Sequence, residues 1–117
     1  MKLPLTPHIV AAAYEYLRAT PPFRGWKLPD AEAVEFGVTR HRDRQADHTH
    51  YLRTNEHIIR VSSYHVGTSL KLLEAVAHEM IHLHQWRTRK ASGHDRWFNK
   101  TSERVARLHG WEIEVFE

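Results

Sequence analysis

The chain has 117 residues, a formal net charge of +3, 41% hydrophobic residues, four Trp and no Cys. That length suits a single domain over residues 1–117 with one core, and the apolar fraction excludes a disordered segment. Without Cys there are no disulfides, no thiol catalysis and no cysteine-ligated zinc, so a metal must be held by His, Asp or Glu. No run approaches the apolar length of a membrane span, and Met1–Pro7, with one Lys and two prolines, does not open a signal peptide. The expectation is a cytoplasmic monomer without membrane contact.

Pro7 to Ala19 reads as a first helix. Thr6 caps it, Pro7 suits its first turn, and Ile9, Val10, Ala13, Tyr14 and Leu17 recur at helical spacing. Pro21-Pro22 stops it, and Phe23 to Asp30, with Gly25 and Pro29, reads as loop. Val34, Phe36 and Val38 alternate with polar neighbours as in a half-buried strand. The polar run Arg40–Arg44 ends that pattern. His50–Arg53 and His57–Ser63 then flank Thr54-Asn55-Glu56, a hairpin turn by composition. In the second arm Ile59 and Val61 should face the core, with Arg60 and Ser62 facing out.

Thr68 or Ser69 caps a helix running to about Arg87, and a second helix runs from about Asp95 to Leu108, ended by Gly110. Trp111–Phe116 then adds a short strand or covers the core. Helix, strands, helix, helix is an α+β order, and the expected sheet is small and mostly antiparallel.

The chemistry concentrates in the run HEMIH. Residues four apart share a helix face, so His78 and His82 can offer two imidazoles to one Zn²⁺, with Glu79 beside them as general base. Eleven His in the chain make chance matches common, at roughly one shuffled sequence in twelve for HExxH. Context adds weight. At about 100° per residue, Lys71, Glu74, His78, His82 and Gln85 form one narrow polar strip on a helix whose remaining circumference is mostly apolar. Imidazoles in such a strip need partners, and a metal or hydrogen bonds would supply them. A catalytic zinc takes three protein ligands. His94 is the favoured third, because Gly93 lets the chain turn and His94 opens the next helix. Glu103 is the rival, although it lies about 140° round its helix from the core-facing Phe98. His48 and His50 share a face if extended, a weaker second constellation.

From Arg87 to Arg107 there are seven cations and two acids. Arg87, Arg89, Lys90 and Arg96 are therefore candidate phosphate contacts, although a solvated helix face accounts for them equally well.

The runs HEMIHLHQW and GHDRWF resemble the SprT-like zinc metallopeptidase domain, the Spartan-type protease core. Gly93, His94 and Phe98 fill its G-H-x-x-x-F segment, and Ile59-Arg60-Val61-Ser62 looks like its strand before the catalytic helix. The resemblance spans about Ile58 to Leu108. It implies a zincin-like core, zinc on His78, His82 and His94, and hydrolysis of peptide bonds in protein substrates. Several family members act on proteins crosslinked to DNA, which would make DNA a partner. The expectation is a minimal form without a zinc ribbon, and Asp95 stands where the family commonly has glycine. On this reading the strand carrying Arg60 and Ser62 offers its edge to an extended substrate. The competing reading is a nucleic-acid-binding protein with a structural zinc and no proteolysis.

Overall fold

The computed structural model describes residues 5–51, 53, 54 and 56–116. Helix α1 spans Pro7–Arg18 with Thr6 as its cap, its hydroxyl accepting from the Ile9 N–H at 3.2 Å. Its buried stripe is Val10, Ala13, Tyr14 and Leu17, at the spacing that puts them on one side. Two single 3₁₀ turns, Phe23–Gly25 and Ala31–Ala33, occupy the expected loop and the approach to the first strand.

Three strands come next: β1 (Val34–Thr39), β2 (Ala46–Tyr51) and β3 (Glu56–Ser62). Asn55 of the expected turn and Leu52 of the expected first arm lie outside the described residues. The sheet order is β1-β3-β2, with β1 parallel and β2 antiparallel to β3. The sheet is therefore mixed, not mostly antiparallel. The connection from β1 carries β2 past the slot that β3 fills, leaving β3 in the centre. Composition explains the placement. Strand β3 buries His57, Ile59, Val61 and Ser62, whereas the polar sequence Ala-Asp-His-Thr-His-Tyr of β2 tolerates an edge.

Registered partners point to the same side of a sheet. Val34, Phe36 and Val38, Ala46, His48 and His50, and His57, Ile59 and Val61 thus share the face that meets the helices. Arg60 lies on the opposite face, where its guanidinium grips both oxygens of Asp47 on β2 at 2.9 and 3.0 Å. Ser62 departs from expectation. It is fully buried, and its hydroxyl donates to the His41 carbonyl at 2.6 Å. With the Ser62 N–H on Gln45 O and the Ser63 N–H on Thr39 O, it fastens the β1–β2 connection to the end of β3.

Helix α2 (Ser69–Arg89) packs on α1, β2, β3 and α3 (Arg96–His109). Thr68 caps α2 and Asp95 caps α3, each side chain accepting a backbone N–H three residues on. Both C-terminal caps are left-handed, at Lys90 and Gly110. The core joins α1, the sheet and α2 to Phe98, Val105 and Ala106 of α3. The closing segment is a single turn, α4 (Ile113–Phe116), rather than a strand, and it buries Phe116. No helix among the described residues is long and apolar enough to cross a membrane.

Under α2 the sheet carries a column of imidazoles. His48 and His57 share a 2.9 Å hydrogen bond, and His50 lies between the rings of His57 and Trp86. Burial pushes His48 and His57 down from 6.5 to about 3 and about 4, with neighbouring imidazoles adding to the effect. The unfolded chain thus takes up protons near pH 6.5 that the folded pair resists until about pH 4. The pair contributes stability that is present above the unfolded value and lost as the pH falls through this window. Thermal midpoints of the metal-free protein should therefore drop between pH 6.5 and 4. Combining His48→Gln with His57→Gln should flatten that drop, and an unchanged slope would count against it. Removing the Ser62 hydroxyl is a separate test. Ser62→Ala should cost about 1 kcal/mol in urea unfolding, one buried hydrogen bond's worth.

Candidate metal centre

Leu72, Ala75 to Ala77, Met80, Ile81 and Leu83 of α2 are buried, while Lys71, Glu74, His78 and His82 of its polar strip look into a cavity. That cavity, of about 630 Å³, is bounded by these residues, by β2 and the residues before it, by the α2–α3 connection and by Phe116 of α4.

His78 and His82 stand one turn apart with ring centroids 5.0 Å apart. The α2–α3 connection returns His94 to them. Its Nε2 lies 3.2 Å from His78 Nε2, and its ring lies 5.2 Å from that of His82. One ring nitrogen from each residue falls within 4.8 Å of the others, so the three can hold one metal ion. Phe98 is the common floor, with its ring 5.0, 4.2 and 4.5 Å from those of His78, His82 and His94. Among the described residues these three are the group of ligand type gathered in this way. Glu103 is not part of it. Asp95 anchors the arrangement by capping α3 directly after His94.

The donor set suits zinc: three imidazole nitrogens, with a cavity beside them for a further ligand. Burial, and then the charge of the neighbouring imidazoles, lowers His78 to about 4. Burial also lowers His82. Both rings are thus held in the unprotonated form that ligates metals. Both rings have further partners. The backbone of Phe116 accepts from His78. His82 Nδ1 meets Gln85 Oε1 at 3.1 Å, and Gln85 Nε2 donates to the Gly93 carbonyl at 3.0 Å.

Glu79 lines the same cavity and is 5% exposed. Burial first, and then the charge of Asp47, pushes its carboxyl up to about 8. In the metal-free chain a carboxyl so raised carries a proton near neutral pH, and a cation held by the three histidines would favour its ionised form.

Other expected site residues lie elsewhere. Arg60 and Ser62 cannot offer a substrate edge, because β3 is paired on both sides. The strand beside the cavity with one side unpaired is β2, whose Ala46, Asp47, His48 and His50 contribute to the wall. Arg87, Arg89, Lys90 and Arg96 are exposed where α2 gives way to α3. Arg87 donates to Lys27 O, Arg89 lies over Trp97, and Lys90 lies over Trp86. His84, off the strip, stacks on Trp26 at 4.2 Å. His48 and His50 do share a face, but His48 is spent on His57 rather than gathered with the triad. Sequence reasoning missed the parts played by Phe116 and Asp47. Nothing local marks Phe116, whereas Asp47 sits beside His48 in a strand that begins four residues earlier than expected.

No curated protein matches the chain. The profile of the SprT-like family matches it over residues 21–117, which includes the cavity walls, all three histidines and Glu79. On that match the chain belongs to the SprT-like family.

Proposed function

We propose that the chain is a zinc-dependent metalloendopeptidase with a zincin-like core, hydrolysing peptide bonds of protein substrates. One observation carries the reading: three imidazoles converge within 4.8 Å beside a buried carboxyl in an open cavity. His78, His82 and His94 are the metal ligands and Glu79 is the general base. Bound zinc would supply Lewis acidity, bringing the pKa of water down toward about 7 and polarising the scissile carbonyl. Glu79 takes the proton from the attacking water and delivers it to the leaving amine. Its buried position keeps bulk water from competing for that proton. The unpaired side of β2, rather than β3, aligns an extended substrate by backbone hydrogen bonds along the cavity.

The exposed cations at the α2–α3 junction favour DNA-associated or DNA-crosslinked proteins as substrates. Arg89 and Lys90 lie against Trp97 and Trp86, so positive charge and aromatic faces are presented together. The same patch supports the second reading, a nucleic-acid binder with a structural zinc. Glu79 separates the two, because a structural site has no use for a buried carboxyl facing an open cavity.

Glu79→Gln should retain about one zinc per chain and lose about 10²–10⁴-fold in cleavage of an unfolded protein substrate. Equal cleavage by both proteins would sink the peptidase reading. Neutralising Arg87, Arg89 and Lys90 together should weaken DNA retention and lower the salt slope by up to about 3. A slope that does not move leaves those residues as solvated surface.

A further inference from the structure

Gln85 is fully buried, in the polar strip one turn beyond His82, and it touches two parts of the centre at once. Resting on the reading of the triad as a metal centre, we infer that Gln85 is a positioning residue. It presets the tautomer of His82 and ties down the loop that carries His94.

Donor and acceptor identities fix the arrangement. The Gly93 carbonyl can only accept, so the Gln85 atom facing it at 3.0 Å must be the amide nitrogen. The atom 3.1 Å from His82 is then the amide oxygen, which can only accept. His82 Nδ1 must therefore carry the proton, and the lone pair of a neutral ring is left on Nε2. A backbone carbonyl cannot be flipped, so the usual ambiguity of amide orientation is removed at this site.

The second half of the bridge acts on the third ligand. Gly93 immediately precedes His94 and has φ of +85°, a conformation other residues adopt only under strain. His94 is exposed and comes from outside α2, so its place opposite His78 depends on how this connection is held. The amide of Gln85 spans from one ligand to the residue next to another, fixing their relative position before any metal arrives. Partners of this kind fix the ring orientation of metal-ligating histidines and change affinity when removed.

Two readouts test it, neither of them catalysis. In the metal-free protein, long-range nitrogen–proton NMR correlations should report His82 as the Nδ1–H tautomer. Gln85→Met, similar in length but without donor or acceptor, should give mixed tautomers. It should also weaken zinc binding about 10–100-fold in competition with a chelator. A role in packing alone would lower stability without moving the tautomer. If Gln85→Met does not fold, Gln85→Glu keeps an acceptor for His82 but has no donor for Gly93. It should retain the Nδ1–H tautomer while the His94 amide exchanges faster with solvent. An unchanged tautomer with unchanged zinc affinity in the first variant, or unchanged exchange in the second, overturns the inference. A wild-type chain that takes up no zinc refutes the metal reading instead, and the positioning role falls with it even where the tautomer is as expected.

Discussion

A buried polar group left without a partner costs free energy. Helix α2 buries several polar groups, and although His84 Nδ1 and Trp86 Nε1 have no hydrogen-bond partner among the described residues, the imidazoles at the candidate metal centre do. His78 is bonded by the backbone of Phe116 and His82 by Gln85, while His94 is brought back by a left-handed glycine and a capped helix. The inner side of the strip faces a cavity. The burial that makes the helix a core element therefore also keeps its imidazoles neutral and raises its carboxyl. Fold and chemistry draw on the same desolvation, acting with opposite sign on bases and acids.

Legibility tracks the range of the interactions. Everything within one or two turns is readable from residue order. Thr6, Thr68 and Asp95 cap because an unpaired backbone N–H lies three residues further along each chain segment, and His78 and His82 share a face because of helix pitch. His94 is also readable, because Gly93 and Phe98 bracket it with local signals. The sheet is not. Pairing partners depend on which strand fills the central slot, and alternation within Val34–Val38 or Ile59–Val61 is compatible with either order. That ambiguity puts the expected substrate edge on the wrong strand. Ser62 looks outward by alternation, yet the end of β3 is where the β1–β2 connection crosses and needs a donor.

The two faces of the sheet divide the polar work. Toward the helices lie imidazoles, with His48 and His57 bonded to each other and His50 against Trp86. On the far face the bidentate pair of Arg60 and Asp47 links the central strand to the edge strand. Asp47 also lines the cavity and acts electrostatically on Glu79. Through one edge residue, the strand that would receive substrate is thus linked to the carboxyl that would act on it.

Phe116 has a consequence for anyone who handles the protein. It walls the cavity and lies beside His78, so a polypeptide continuing from residue 116 begins its path at the edge of that cavity. An affinity tag there, especially one rich in histidine, would start beside three imidazoles that can hold one metal ion and would compete for it. Appended sequence is better placed ahead of α1, which contributes no described residue to the cavity wall.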